Sequence, residues 1–185
     1  MGLLDIFRPN ETVLSVEDID LDALAARGIE GLLIDVDNTL IPHGVPDLSP
    51  ERMDWAERAV GRFRVCLVSN SLTGKRMRKL AGALGIPGIA VWHWDRKPFT
   101  GGVRRAMRLI GTTPENTAMI GDQVMTDILA GNRAGLHTIW VKQIGQTENL
   151  LTRLIHRPLE ACIVKRLGCR HEEPGAAEEA PSDEA

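Results

Sequence analysis

Short apolar runs alternate with longer amphipathic stretches along most of the chain. The run Leu32-Leu33-Ile34 suits a strand that is buried on both faces, as strands are in a parallel sheet. The same pattern predicts strands at Arg64–Val68, Ile89–Trp94, Thr117–Ile120 and His137–Val141, and helices at Asp20–Arg27, Pro50–Val60, Thr73–Leu84, Thr100–Ile110 and Met125–Arg133. Strands that alternate with helices at this spacing predict an α/β fold with a doubly wound parallel sheet. Residues 1–14 are predicted to form an irregular lead-in.

The C-terminal part of the chain departs from this alternation. Residues 147–170 predict a basic amphipathic helical arm, which we expect to be interrupted at Pro158 because proline cannot donate a backbone hydrogen bond. Such an arm either lies on an anionic membrane surface or packs its apolar side on the domain or on a second subunit. Residues 171–185 contain six acidic residues and no lysine or arginine, and they predict a disordered acidic tail. The predicted domain core is residues 1–146.

Length, composition and the absence of targeting features indicate the class of protein and the compartment in which it works. The 185 residues suffice for one α/β domain, and 43% hydrophobic residues can fill its core. The N-terminus lacks the features of a secretory signal, and no apolar run has the length of a bilayer span. The three cysteines show no metal-binding or disulfide spacing. We therefore expect a cytoplasmic protein that is at most peripheral to a membrane.

One predicted helix carries a run of basic residues, Arg76, Arg78 and Lys79. We expect these side chains to form a solvated helix face. No aromatic residues interleave with them, so we expect no nucleic-acid partner.

Polar side chains of catalytic type follow three of the predicted strands. Asp35 and Asp37 follow the first, Ser69 follows the second, and Asp122 follows the fourth. A lysine, Lys97, precedes a helix between the second and fourth strands. Since the carboxyl ends of parallel strands share one edge of a sheet, these groups are expected to lie together.

This set of side chains suits phosphoryl transfer. Carboxylate oxygens are ligands for Mg²⁺, while a hydroxyl and an ammonium can hold phosphate oxygens. One aspartate can attack phosphorus, and the other can supply and then remove a proton. For the segment Glu30–Leu40 taken alone, the alternative to a catalytic site is a strand that ends in an Asx turn, with Asn38 helping the chain to reverse.

The motifs resemble those of the haloacid dehalogenase (HAD) superfamily of phosphatases over residues 25–145. Asp35-Val36-Asp37-Asn38-Thr39-Leu40 resembles its first motif, and Gly121-Asp122-Gln123-Val124-Met125-Thr126-Asp127 resembles its acidic fourth. Ser69 matches the second motif and Lys97 the third. Together with Val68-Ser69-Asn70, Lys97-Pro98 and Gly131-Asn132-Arg133, they are similar to the YqeG-type subgroup, which resembles phosphatidylglycerophosphate phosphatases.

The resemblance implies a role for each matching residue. Asp35 is the expected nucleophile, and Asp37 is the expected proton donor to the leaving group. Mg²⁺ is expected to be held by Asp35, the carbonyl of Asp37, and Asp122. The expected contacts of the substrate phosphate are Asn38, Ser69, Asn70 and Lys97. Asp127 either orients a metal-bound water or Lys97, or is a helix-face acid with no role.

The segments between the motifs are too short for an inserted cap domain. The site is therefore expected to be open, which suits a large or membrane-bound substrate, or a homo-oligomer that closes it.

The favoured function is Mg²⁺-dependent hydrolysis of phosphatidylglycerophosphate through an aspartyl-phosphate. The alternatives are a phosphatase of a soluble nucleotide or sugar phosphate, and a non-catalytic binding protein on the same fold.

Overall fold

The computed structural model of the protein describes residues 4–42, 45, 47–70, 74–91, 95–144 and 157–169. Six parallel strands form one sheet in the order β1-β6-β5-β2-β3-β4. The strands are β1 (Glu11–Val13), β2 (Gly31–Ile34), β3 (Arg64–Ser69), β4 (Gly88–Ala90), β5 (Thr117–Gly121) and β6 (His137–Val141). The helices are α1 (Leu21–Ala26), α2 (Pro50–Arg62), α3 (Lys75–Leu84), α4 (Gly101–Ile110), α5 (Leu129–Ala134) and α6 (Arg157–Leu167).

Helices cover both faces of this sheet. Leu32 and Ile34 of β2 belong to one apolar cluster, with side chains from α1, α2 and α3. Leu33 belongs to a second cluster, with side chains from α4 and α5. Alternate residues of one strand thus face opposite helix layers, so every residue of β2 is buried. The predicted α/β doubly wound parallel sheet is confirmed.

The position of β2 explains where the site forms. The chain passes from β2 outward to β3 and β4, and then returns to β5 and β6 on the other side of β2. Strand order therefore reverses beside β2, and ligands of such sheets bind in the crevice at the carboxyl ends of the strands at this point. Between β2 and β3 the described residues hold α2 as their main element, and between β3 and β4 they hold α3, so no cap domain lies over this edge.

The lead-in contains a strand that the sequence pattern does not predict. β1 lies at the edge of the sheet and pairs with β6, with Glu11 opposite Ile139. Its three residues are each only half-buried, so the segment shows no apolar alternation. Asn10 secures it, because its side-chain oxygen accepts hydrogen bonds from the Thr138 N–H at 2.8 Å and from the Thr138 hydroxyl at 3.0 Å. The prediction of an irregular lead-in was wrong at this strand.

Two other predicted elements differ in the structure. The third predicted strand ends earlier than expected, since β4 covers Gly88–Ala90, and residues 92–94 lie outside the described part. The helix predicted at Met125–Arg133 begins instead as a π-helical turn, Val124–Ile128, and becomes α-helical only in α5. Such turns are frequent at functional sites, and this one carries Asp127.

The arm is described from its second half onward. Pro158 lies in the first turn of α6, where its missing N–H removes no intrahelical hydrogen bond. Residues 147–156, where an interruption would show, and the predicted tail 171–185 lie outside the described residues. Among the described residues, no helix is both long enough and apolar enough to cross a bilayer.

The described half of the arm packs on the domain. Ile163 and Leu167 are buried. Val164 packs against the apolar cluster that contains Trp140. Arg8 of the lead-in donates a hydrogen bond to the Leu167 carbonyl at 3.1 Å. The apolar side of α6 therefore has a partner within this chain.

Candidate active site

Asp35 directly follows β2, at the edge of the sheet where the order of strands reverses. Its backbone N–H donates to the Ile120 carbonyl at 2.9 Å, so the pairing with β5 continues one residue beyond the strand. Asp35 is only 7% exposed. Lys97 Nζ lies 2.5 Å from its Oδ1. The side chain is thus held at the mouth of the crevice by the sheet on one side and by a cation on the other.

The ammonium of Lys97 lies between two carboxylates. Its Nζ is 2.7 Å from Asp127 Oδ1, in addition to its contact with Asp35, and it donates to the Val68 carbonyl at 2.8 Å. Burial alone would lower the pKa of Lys97, but the carboxylates of Asp127 and Asp35 outweigh burial and raise this pKa. Lys97 is therefore a permanent positive charge, held by hydrogen bonds to Asp35 and to the Val68 carbonyl and by an ion pair with Asp127.

Asn70 fixes the backbone at Lys97 from both sides. Its Nδ2 donates to the Lys97 carbonyl at 3.0 Å, and its Oδ1 accepts from the Lys97 N–H at 3.0 Å. Asn70 comes directly after β3, so this pair of hydrogen bonds ties the lysine loop to the sheet edge. The predicted contact of Asn70 with phosphate stays a prediction, since the structure shows its amide bound to Lys97.

Asp122 and Asp127 approach the same point from the segment after β5. Both residues are 1% exposed. The π-helical turn folds Asp127 back, so that its Oδ2 accepts the Gln123 N–H at 3.1 Å. Gly121 permits this approach, because an added Cβ would lie 2.4 Å from the Asp127 side chain. Asp127 is therefore a buried partner of Lys97 and not a solvated helix-face acid.

The three buried acids form a cluster suited to a cation. Asp35, Asp122 and Asp127 each offer a carboxylate oxygen, and these oxygens lie within 4.8 Å of one another. One lysine cannot neutralise three carboxylates. Burial raises the pKa of Asp35 to about 7, although the positive charge of Lys97 acts to lower this pKa. Such a group favours a proton or a further cation. Oxygen donors of this kind are the ligands of hard divalent ions, so the residues present fit one.

Asp37 lies on the more exposed side of the crevice, with its side chain 32% exposed. The Ser69 hydroxyl donates to its Oδ2 at 3.4 Å. Arg76 Nη1 binds its other oxygen, Oδ1, at 2.7 Å. Asp37 and Ser69 are thus brought together as the sequence predicts. The guanidinium of Arg76 binds the other side of the Asp37 carboxylate.

Asn38 and Thr39 complete the turn after the first motif. Asn38 has a φ of 64°, which asparagine tolerates better than most residues. Its backbone N–H donates to the Ile41 carbonyl at 2.8 Å, so the chain does reverse here. The Thr39 hydroxyl donates to Asp122 Oδ1 at 3.3 Å. Contact of Asn38 with a substrate phosphate stays a prediction, as does the metal contact of the Asp37 carbonyl.

Comparison with known proteins agrees with this geometry. The family model described as HAD-hydrolase-like matches residues 95–167. The probable phosphatase YqeG of Bacillus subtilis is 34% identical over 166 residues, which cover 89% of this chain and 94% of that protein. The chain belongs to the HAD superfamily, in the group of YqeG-type phosphatases. It is therefore a phosphatase, and HAD hydrolases in general use a divalent metal ion.

Further relatives of this HAD phosphatase are more distant. The chloroplastic phosphatidylglycerophosphate phosphatase 1 of Chlamydomonas reinhardtii is 32% identical over 186 residues, which cover 95% of this chain and 67% of that protein. A solved haloacid dehalogenase-like hydrolase from Streptococcus pneumoniae superposes with a TM-score of 0.51 at 15% identity, over 73% of this chain and 97% of that one. The latter supports the fold alone.

Two residues of the HAD site are absent from the sequence-based prediction. The predicted solvated face was wrong at Arg76, which reaches into the site, whereas Arg78 and Lys79 are exposed. Thr39 was not assigned a role, yet it bonds to Asp122. The signal for Arg76 was its place in the first turn of the helix that follows a site strand, since that turn lies at the same edge of the sheet.

Proposed function

We propose that the protein hydrolyses a phosphomonoester with Mg²⁺ through an aspartyl-phosphate formed on Asp35. The observation that carries this proposal is the position of the Asp35 carboxylate, which adjoins Lys97 at 2.5 Å within a cluster of buried acids at the sheet edge. A buried carboxylate beside a fixed ammonium is a nucleophile whose direction of approach is set, and a bound cation would favour its charged form.

Asp35 and Asp37 divide the chemistry between them. A carboxylate oxygen of Asp35 attacks phosphorus, and the bond from phosphorus to the leaving oxygen breaks. Asp37 donates a proton to that oxygen as it departs, and then accepts a proton from the water that hydrolyses the aspartyl-phosphate. Asp37 can exchange with solvent between the two steps because its side chain is 32% exposed.

Ser69 and Lys97 are proposed to hold the transferring phosphoryl group. The Ser69 hydroxyl adjoins Asp37, and the Lys97 ammonium adjoins Asp35, so the two lie on either side of the proposed path of attack. A phosphoryl oxygen can take the place of one of the acceptors that Lys97 now has. Donors fixed before the reaction stabilise the charge that develops on those oxygens.

Asp35 and Asp122, with the carbonyl of Asp37, are proposed to hold Mg²⁺. When bound, the ion offsets the charge between the nucleophile and the phosphate and orients the phosphoryl oxygens. Asp127 then serves as the residue that positions Lys97, since both of its carboxylate oxygens already have partners in Lys97 and the Gln123 N–H. Thr39 orients the Asp122 carboxylate through its hydroxyl.

Metal dependence gives the first test. We expect excess EDTA to abolish phosphatase activity and Mg²⁺ to restore it. Asp122→Ala should raise the Mg²⁺ concentration for half-maximal activity by about tenfold or more, because a hard cation loses a carboxylate ligand. Mg²⁺ should also raise the melting temperature of the wild type more than that of Asp122→Ala.

The control for this test is Asp54→Ala, which removes an exposed carboxylate on α2. It should leave the Mg²⁺ requirement unchanged. Full activity of the wild type in excess EDTA would contradict the proposed metal site.

The favoured substrate is phosphatidylglycerophosphate. Three observations support it: the open site, the relatives named as phosphatidylglycerophosphate phosphatases, and the exposed basic residues Lys165 and Arg166 of α6. An uncapped site can approach a headgroup at a bilayer surface. Each basic residue near an anionic leaflet contributes about 1 kcal/mol of attraction, which salt screens.

A vesicle assay tests this substrate. We expect wild type to dephosphorylate phosphatidylglycerophosphate in anionic vesicles, with vesicle binding that weakens as salt rises. Changing Lys165 and Arg166 to Glu should lower activity on vesicles by about 30-fold or more, because the loss of two attractions of about 1 kcal/mol each already corresponds to that factor and two repulsions are added. Activity on p-nitrophenyl phosphate should stay the same.

The matched control reverses Arg104 and Arg108, two exposed residues of α4. It makes the same change in net charge on another part of the surface. Equal lipid hydrolysis by wild type, the Lys165/Arg166 variant and the Arg104/Arg108 control would show that α6 does not attract the membrane. If wild type ignored the lipid but cleaved a soluble nucleotide or sugar phosphate efficiently, the soluble-substrate alternative would replace the proposal.

A further inference from the structure

Arg76 lies in the first turn of α3, and its guanidinium spans the gap between that helix and the first motif. Nη1 binds Asp37 Oδ1 at 2.7 Å. Nη2 donates to the carbonyls of Pro42 and Val45, at 2.8 and 2.6 Å. One side chain thus connects the proposed proton donor, the loop that follows it and the helix after β3.

The surroundings of Arg76 differ from those of a surface ion pair. Its side chain is 29% exposed, and Asp37 is 32% exposed. Its Nε is buried, with no hydrogen-bond partner among the described residues. A planar guanidinium with two backbone acceptors on one nitrogen cannot swing freely, so the direction of the other nitrogen is set. By contrast, Lys79 on the same helix makes its ion pair with Asp47 in solvent, where both side chains are 65% exposed.

The fixed guanidinium determines which oxygen of Asp37 is available for proton transfer. Arg76 occupies Oδ1, while Oδ2 lies on the side of Ser69, at 3.4 Å from its hydroxyl. Without Arg76, the carboxyl group can rotate, since its Cα–Cβ and Cβ–Cγ torsions have no other restraint as strong as this pair. The proton would then be presented to the leaving oxygen in only a fraction of encounters.

We infer that Arg76 is a positioning residue that holds Asp37 with Oδ2 directed at the leaving oxygen of the substrate. This inference rests on the proposed function, in which Asp37 is the proton donor. Arg76 takes no part in bond making or breaking. It acts through Asp37, and it also ties the carbonyls of Pro42 and Val45 to α3.

A positioning role for Arg76 differs from a purely structural role in its dependence on the leaving group of the substrate. Proton donation matters for a poor leaving group such as an alkoxide, and matters little for p-nitrophenolate, which departs as a stable anion. Loss of Arg76 should therefore lower kcat/KM for alkyl phosphates far more than for p-nitrophenyl phosphate. The ratio kcat/KM includes the steps up to departure of the leaving group, so later hydrolysis of the aspartyl-phosphate does not mask this difference.

The experiment measures kcat/KM for p-nitrophenyl, phenyl and ethyl phosphate at saturating Mg²⁺. For Arg76→Gln we expect a loss of about 30- to 100-fold on ethyl phosphate and less than about threefold on p-nitrophenyl phosphate. Arg76→Lys should show a smaller loss with the same order of substrates, because an ammonium keeps the charge but lacks the planar fork. Melting temperatures show whether each variant is folded, and Arg76→Lys serves if the glutamine variant is not.

Arg78→Gln is the matched control, because it removes the same charge from the exposed part of α3. Its kcat/KM values should equal those of wild type for every substrate. A double variant supplies a second readout: in an Asp37→Asn background, Arg76→Gln should cause no further leaving-group-dependent loss.

Three outcomes are decisive. A loss of similar size for all leaving groups would overturn the inference and assign Arg76 a structural role. A uniform loss that comes from a higher KM, with kcat unchanged, would also overturn it and would make Arg76 a substrate-binding residue. If wild type were active and Asp35→Asn retained that activity, the proposed mechanism itself would fail, whereas an inactive Asp35→Asn variant with uniform Arg76 effects would overturn the inference alone.

Discussion

Asp35→Asn is expected to lower kcat by about four orders of magnitude or more, as removal of a catalytic nucleophile does in other enzymes. An amide oxygen does not form the acyl-phosphate that a carboxylate forms, and no other acid can take over its place. Asp127 is occupied by Lys97 and the Gln123 N–H. Asp122 is turned toward Thr39, which donates to its Oδ1.

The fold should tolerate this substitution, because asparagine has nearly the shape of aspartate. It also removes one negative charge from a cluster in which burial raises the pKa of Asp35 to about 7. Folded Asp35 therefore holds its proton more tightly than the unfolded chain does. Without metal, wild-type stability should fall as pH rises from about 4 toward 7, and the asparagine variant should lack this part of the slope.

Three measurements check the Asp35 prediction. Steady-state assays give kcat, rapid quenching detects a phosphoenzyme that hydroxylamine cleaves, and urea denaturation at several pH values in EDTA gives the stability. Asp54→Asn, on the exposed face of α2, should behave as wild type in each of them. Near-wild-type turnover by Asp35→Asn, or a phosphoenzyme in that variant, would remove Asp35 from the role of nucleophile.

Lys97→Met should both abolish activity and destabilise the metal-free fold. The side chain of Lys97 is 1% exposed and is the cation that lies among the buried acids. Removal of one member of a buried ion pair leaves an uncompensated charge and costs about 3–5 kcal/mol. The phosphate would also lose a positive partner in the transition state.

The cause of this instability can be tested by a second substitution. Lys97→Met/Asp127→Asn removes the carboxylate that Lys97 no longer neutralises, so it should recover much of the lost stability while remaining inactive. Mg²⁺ should stabilise Lys97→Met more than wild type, since the cation replaces the missing positive charge. Lys79→Met, which removes a lysine from an exposed ion pair on α3, should change stability by less than about 1 kcal/mol. If Lys97→Met unfolded at the same urea concentration as wild type, the buried acids would not depend on Lys97.

The arm shows how packing limits an interpretation based on pattern. Its periodicity fits both a membrane surface and a protein partner, and Val164 of α6 packs near Trp140 on the domain. Trp140 in turn donates to the carbonyl of the proposed metal ligand Asp122 at 3.0 Å. In the described residues 161–169, the apolar side of α6 is therefore taken by the domain, and exposed residues such as Lys165 and Arg166 remain for a membrane.

The sequence by itself was sufficient for the alternation of strands and helices after the lead-in and for the set of chemical groups at one sheet edge. Buried parallel strands must be apolar on both faces, so the run at Leu32–Ile34 and the acid after it were visible without coordinates. The resemblance to HAD phosphatases followed from the same short motifs. Elements shaped by long-range contacts were less accessible: β1 has no apolar alternation, and its pairing depends on β6.

Only the tertiary structure decided the partners of the charged side chains. Asp127 could be a solvated acid until the π-helical turn placed it 2.7 Å from Lys97, and Arg76 could be a solvated base until α3 placed it 2.7 Å from Asp37. Periodicity reports which face of an element is buried, because burial depends on local spacing. Which charges meet depends on how elements that are distant in the chain pack together, and a local pattern does not contain that information.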